Sequence, residues 1–185
     1  MKSKTRTEIR AKLHKITQHD KELAQEKIKK TLAAGNKFKL CQNIGFYLAH
    51  KNELATAELI TMSLDAGKNC YLPKIRNDKT LNFVKYNKNS KLEKNKYGIQ
   101  EPIITNNEDI IDANKLDIVI VPIIAVDKYN FRIGYGSGYY DRTFSYKKEK
   151  PKSKPYLIAI GYECQKVKKI ISDIWDIKMD LAMTF

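Results

Sequence analysis

Asp117-Ile-Val-Ile-Val-Pro122-Ile-Ile-Ala-Val126 is the stretch on which the fold turns. Its isoleucines and valines run almost without interruption. A strand with one wet face would alternate apolar and polar residues, so an unbroken run predicts a central strand covered on both sides. Pro122 interrupts it, and it is far too short to cross a bilayer. Its position in mid-chain is also wrong for a signal peptide.

Outward from this strand the pattern repeats in a weaker form. Tyr156 to Tyr162 reads as a similar strand, and Leu181 to Phe185 as another. On the N-terminal side, Leu81 to Tyr86 alternates as a half-buried strand, Tyr71-Leu72-Pro73 reads as a short strand ended by its proline, and Ile44 to Leu48 is a compact candidate. Between them lie helical signals. Thr17 opens a T-x-x-D start, followed by Leu23, Ile28 and Leu32 and stopped at Gly35. A shorter helix is expected from about Thr5 to Lys15. Thr56 begins another, with Leu59, Ile60 and Leu64 on one face and Gly67 as its C-terminal cap. Strands alternating with helices predict an α/β fold: a single three-layer α/β/α domain over residues 1–185 with a mostly parallel central sheet. Lys147 to Pro155 is a charged loop rather than a linker, because too little chain follows to build a second core.

The composition fits an ordinary globular protein, with 42% apolar and 30% charged residues among 185. Cys41, Cys70 and Cys164 are widely spaced and odd in number, which predicts neither a disulfide framework nor a zinc site. Each is expected to be a buried small hydrophobe in a cytoplasmic protein. The net charge of +14 allows a nucleic-acid partner. The lysines, however, are spread over nearly every loop, and such a field also attracts anionic small molecules. The expectation is therefore a protein that acts on small molecules, with no nucleic acid or membrane partner.

The chemistry concentrates in Arg132-Ile-Gly134-Tyr-Gly136-Ser-Gly138-Tyr-Tyr140-Asp141-Arg142. Glycines at alternate positions permit positive φ and leave no Cβ to obstruct a ligand. Several N–H groups can then converge on one anion. A helix expected from Tyr139 to Tyr146 would place a phosphate at its N-terminus, just beyond the central strand's carboxyl end, where open α/β sheets hold ligands. The spacing is neither a Walker A loop nor a Rossmann fingerprint. Arg132 supplies a cation for phosphate, and Asp141 a hard carboxylate suited to Mg²⁺.

The segment from Pro122 through Asp127 and Arg132 to Arg142 resembles the signature of the 5-formyltetrahydrofolate cyclo-ligase family. Further elements follow in the family's order: the basic N-terminal Lys2, Arg6 and Arg10; Asn52-Glu53-Leu-Ala-Thr56; Gly67-Lys68 with Leu72-Pro73; Tyr97-Gly98-Ile99-Gln-Glu101-Pro102; and Gln165, Asp176, Asp180 and Thr184. The chain differs from the pattern at Thr5, Val126, Asn130 and Trp175 (the last in place of a common histidine) and lacks a proline near Ile171. Asn130 tolerates a left-handed backbone, so its turn should survive.

The resemblance implies an enzyme that converts 5-formyltetrahydrofolate to 5,10-methenyltetrahydrofolate with ATP as co-substrate and Mg²⁺ as cofactor; a monomer is expected. It implies that Lys2, Arg6 and Arg132, with Gly134, Tyr135, Gly136, Ser137, Gly138 and Tyr139, hold ATP. Asp141 and Asp176 would serve Mg²⁺. Glu53 would read the polar edge of the pterin and Leu48 its apolar side, with Tyr97 and Tyr140 packing on the folate. No covalent nucleophile is expected, since phosphoryl transfer needs positioning and charge neutralisation. His14, His19 and His50 read as surface residues. Two other readings use the same residues: a sheet enzyme acting on a sugar phosphate or acyl carrier, and a basic RNA-binding module.

Overall fold

The structure, a computed structural model, describes residues 1–185. The first half of the chain runs α1 (Lys2–Leu13), α2 (Gln18–Ala34), α3 (Asn36–Leu40), β1 (Asn43–Gly45), α4 (Ala57–Asp65), β2 (Asn69–Ile75) and β3 (Leu81–Tyr86). Three short strands follow, β4 (Leu92–Lys94), β5 (Gln100–Pro102) and β6 (Ile110–Ile111), before the central β7 (Ile118–Pro122). The remainder is β8 (Ala125–Asp127), β9 (Arg132–Ile133), α5 (Tyr139–Thr143), β10 (Tyr156–Gly161), β11 (Lys166–Val167) and β12 (Leu181–Thr184).

Seven strands form one sheet in the order β12-β10-β7-β1-β2-β3-β6. Five of them, from β12 to β2, are parallel, and β3 and β6 add antiparallel at one edge. Alternate residues of β7 and β10 enter different cores. Ile118, Ile120, Ile158 and Ile160 pack under α1 to α4, while Val119, Val121, Leu157 and Ala159 pack with Phe144, Ile177 and Met179 on the opposite face. This two-sided burial is what the unbroken Ile/Val run requires. The layers are unequal: four helices cover one face, and only short α5, a 3₁₀ turn and an irregular C-terminal segment cover the other. No helix is long and apolar enough to cross a membrane.

Several elements differ in extent from the sequence expectation. The Asp117 to Val126 run is two strands, because the chain turns at Pro122–Ile124 and re-enters a small three-stranded sheet, β11-β8-β9. Buried Gln165 holds this turn: its Nε2 donates to Ile123 O (2.7 Å) and Ile124 O (3.1 Å), and its Oε1 accepts from Tyr162 N–H. Pro73 does not end β2 but lies inside it. Tyr71 O and Ile75 N face the β1 side of the strand, so Pro73 N does too, and β1 already ends opposite Tyr71. No ladder bond is lost there. In α2 the capping box at Thr17 and Asp20 forms as expected. The buried stripe, however, is Ala24, Ile28 and Leu32, four apart, and Leu23 is exposed. Cys41 and Cys70 are buried, Cys164 only partly, and all three are free thiols.

Between β7 and the glycine-rich segment sits the β8–β9 hairpin. Asp127, 4% exposed, is its internal anchor. Oδ1 accepts the Tyr129 and Phe131 N–H groups at 2.9 and 3.0 Å, and Oδ2 accepts that of Ile170 at 2.8 Å. Asn130 takes φ +65°, the left-handed turn that asparagine tolerates.

Candidate active site

The first two turns of α1 carry an electrostatic misfit. Lys2 and Lys4 crowd the helix N-terminus, no acid lies in its first turn, and no side chain caps it. Cations there oppose the helix dipole. A tertiary partner compensates: Lys2 Nζ donates to Asp173 Oδ2 at 2.7 Å and to Asp176 Oδ2. Burial pulls the Lys2 ammonium down, but these two hydrogen bonds outweigh it and hold its pKa above the ordinary value. Far from being a frayed terminus, α1 is pinned across the chain. Residues four apart share a helix face, so Lys2, Arg6, Arg10 and His14 form one stripe, and all four border the same cleft.

Opposite α1 lies the glycine-rich loop. Gly136 has φ +114°, a region closed to residues with a side chain. Gly134 is needed for space instead, since a Cβ there would lie 2.8 Å from Arg132 Nη1. Two cleft arginines engage loop carbonyls. Arg6 Nε donates to Gly134 O at 2.8 Å, and Arg142 donates through Nη2 to Ser137 O and through Nε to Lys79 O. The helix after the loop is only Tyr139–Thr143, five residues, so its dipole is small and the expected helix-terminus phosphate site does not arise. The positive charge at the loop comes from side chains.

Arg132 is the central one. Its side chain is 5% exposed, Nη2 donates to Asp141 Oδ1 at 3.2 Å, and the guanidinium lies over the Tyr140 ring. Its buried Nε–H has no acceptor. An unpaired buried donor is costly, and the packing around Arg132 carries that cost in the free protein.

A third wall is formed by the segment after β1 and by the β4–β5 hairpin. Glu53 accepts the His50 N–H at 2.7 Å and lies beside the Tyr135 hydroxyl. Burial pushes its carboxyl up to about 7, although the His50 and Tyr135 hydrogen bonds pull the other way. It is thus half-buried rather than the exposed acid its place before a helix would suggest. Buried Glu101 fastens the hairpin by accepting Ile75 N–H and Asn95 Nδ2–H. Tyr97 then reaches across to Tyr139, hydroxyl to hydroxyl at 3.0 Å.

Every residue expected to hold ATP, folate or Mg²⁺ lines one cleft of about 1190 Å³. Lys2, Arg6, Arg132, Gly134, Tyr135, Gly136, Ser137, Gly138 and Tyr139 lie along it, with Leu48, Glu53, Tyr97, Tyr140, Asp141 and Asp176. Single-ligand pockets run to roughly 1,000 Å³, so there is room for two substrates. Sequence reasoning did not assign Arg142, Lys148, Asp173 and Trp175 to the cleft; His14 is exposed as expected and His50 half-buried, and both border the cleft. The four-residue spacing from Lys2 could have found His14. Arg142 follows Asp141 in the glycine-rich motif and Trp175 precedes Asp176, so proximity to assigned residues could have found both.

The carboxylates suit a nucleotide-borne Mg²⁺ better than a protein cage. No group of three or more His, Cys, Asp or Glu side chains could hold a metal by itself. Asp141 Oδ1 accepts from Arg132 and from the backbone N–H of Ile177, next to Asp176, so the two carboxylates border one wall. Mg²⁺ commonly takes one or two carboxylates and completes its shell with phosphate oxygens and water. The donor set therefore fits.

Comparisons agree on what the chain is similar to. The model of the 5-formyltetrahydrofolate cyclo-ligase family matches residues 1–185. A 5-formyltetrahydrofolate cyclo-ligase of Haemophilus influenzae is 30% identical over 174 residues, 92% of this chain and 89% of that protein. The Escherichia coli K12 protein of the same name is 32% identical over 147 residues, 78% of this chain and 79% of its own length. Among solved structures, the Aquifex aeolicus 5,10-methenyltetrahydrofolate synthetase superposes with a TM-score of 0.83 at 24% identity, over 99% of this chain and 89% of that one, which shows the shared fold.

Proposed function

The chain belongs to the 5-formyltetrahydrofolate cyclo-ligase family, and we propose that its cleft holds ATP along the glycine loop with the folate beside it, between Glu53 and Tyr140. The enzyme converts 5-formyltetrahydrofolate to 5,10-methenyltetrahydrofolate. The observation that carries the assignment of the two ends is Arg132. It is a buried cation that borders the cleft at the root of the glycine loop and is paired with Asp141.

In this reading Lys2, Arg6 and Arg132 neutralise the triphosphate, and the N–H groups from Gly134 to Tyr139 fix its path. Glu53 orients the pterin through its N–H donors, since a carboxylate accepts two hydrogen bonds in parallel. Leu48 covers the ring's apolar side, and Tyr97 and Tyr140 pack on the folate. The formyl oxygen attacks the γ-phosphorus and ADP leaves. N10 then attacks the activated carbon, and phosphate departs with the oxygen as N10 gives up its proton. Mg²⁺, held by Asp141 and Asp176, would supply charge neutralisation at the transferring phosphoryl group. The chain's own contribution is orientation and a fixed field of donors. The reading extends to a monomeric, cytoplasmic single domain acting without nucleic acid. Its three free thiols are in keeping with a reducing compartment. Mixing the protein with 5-formyltetrahydrofolate, ATP and Mg²⁺ should generate the methenyl chromophore. No absorbance growth without ATP, and none with ATP but no folate, completes the test.

Two predictions arise here. None of Met1 to Thr7 is buried, so deleting them should leave a folded protein whose ATP affinity falls about tenfold or more, since charge-assisted hydrogen bonds are worth roughly 1.5–3 kcal/mol each. Titration calorimetry on the folded truncation checks this, and unchanged affinity would remove Lys2 and Arg6 from the site.

The second concerns pH. Glu53 ionises near 7 in the fold against an ordinary 4.5. Its protonated form is thus favoured on folding, a contribution complete below 4.5 and lost as pH rises through 7. Pterin donors bind the anion, so folate affinity should rise across pH 6 to 8 in step with Glu53 ionisation. In Glu53→Gln this step should vanish, affinity should be low throughout, and the free protein should be stabilised at the alkaline end. A pH step retained in the variant would assign the titration elsewhere.

A further inference from the structure

We propose that Trp175 is the platform on which the purine base of the nucleotide stacks. This rests on the cleft being the ATP site and adds the part of that site which reads the base. Tryptophan is usually well buried, so an exposed one is informative. Trp175 is 60% exposed and lines the cleft. It takes part in none of the protein's ring–ring or cation–ring contacts.

Its backbone is nonetheless fixed. Asp173 N–H donates to Asp176 Oδ2 at 2.7 Å and Asp176 N–H to Asp173 O at 3.0 Å, a tight turn with Ile174 and Trp175 at its tip. Lys2 clamps both aspartates, and Ile177 N–H ties the following residue to Asp141. The indole is therefore displayed by a turn stitched to the groups assigned to phosphate and metal, and to none assigned to the pterin.

The reaction sets the direction of the nucleotide. Its γ-phosphate must meet the formyl oxygen, so the base points away from the folate, and Trp175 is the exposed aromatic on the turn that carries the phosphate and metal groups. Every nucleobase offers a π-face, and stacking on an aromatic side chain needs no particular hydrogen-bond pattern. The backbone that carries Trp175 is held before the ligand arrives, which lowers the cost of stacking.

Trp175 is the chain's single tryptophan, so indole fluorescence reports on it alone. ATP should quench that emission, whereas inorganic tripolyphosphate, which has the charges without the base, should protect the protein from thermal unfolding with little quenching. Trp175→Ala should weaken ATP about tenfold, the scale of losing one base–aromatic stack, and leave tripolyphosphate affinity within about twofold. Trp175→Phe should keep most of the ATP affinity. The proposal is overturned if ATP and tripolyphosphate both bind and neither quenches, if Trp175→Ala weakens both equally, or if the quench comes from 5-formyltetrahydrofolate instead. If neither phosphate compound binds, the nucleotide reading itself fails, and the stacking assignment with it.

Discussion

Asp141→Asn is expected to lower kcat by on the order of a hundredfold or more, the scale of losing one strong electrostatic contact in a transition state. It should also cost stability, because buried Arg132 loses its charged partner, so turnover is compared on the folded fraction. An asparagine Oδ1 can still accept the Ile177 N–H, so the wall beneath the cleft stays closed. What disappears is the negative charge between Arg132 and the proposed Mg²⁺. As a purely structural acid of α5, Asp141 would contribute through the helix dipole and through its ion pair with buried Arg132, and turnover of the folded variant would hardly change. Steady-state methenyl formation at several Mg²⁺ concentrations, paired with a denaturation curve, separates the two roles. Partial recovery at high Mg²⁺ is expected. Near-normal turnover of the folded variant would end the metal assignment.

Gly136→Val should abolish nucleotide binding and spare the sheet. Crowding is not the reason, because a Cβ at Gly136 would lie 3.9 Å from the Arg6 guanidinium, an ordinary contact. The backbone is: φ +114° is closed to a β-branched residue, and holding it there costs about 1–3 kcal/mol or more. The loop relieves that strain by turning its peptides, which misaligns the N–H groups and the Gly134 carbonyl that Arg6 holds. Since the loop is exposed from Tyr135 to Ser137 and buries no core side chain, the melting temperature should move little. The check is thermal protection by ATP at concentrations that protect the wild type. Intact protection with a wild-type melt would reduce the glycine loop to a turn.

The chain by itself determined whatever depends on residues close in sequence. The Ile118 to Val121 run announces a strand buried on both faces, and alternate residues do enter two cores. The Thr17–Asp20 box and the glycine spacing likewise act over a few residues, through hydrogen bonds and φ preferences that need no distant partner. An ordered family resemblance added Lys2, Glu53 and Asp176, whose neighbourhoods in sequence carry no chemistry of their own. Only the tertiary structure could decide how charge is distributed among them. Lys2 is paired because residues 173–176 fold back onto it, Arg132 keeps an unpaired Nε because the surrounding walls offer no acceptor, and Glu53 is pushed toward 7 by burial against segments far away in sequence. Pro73 sits mid-strand only because its neighbour β1 is short. Desolvation and pairing depend on what the whole chain places within a few ångströms of a group, and no local pattern encodes that.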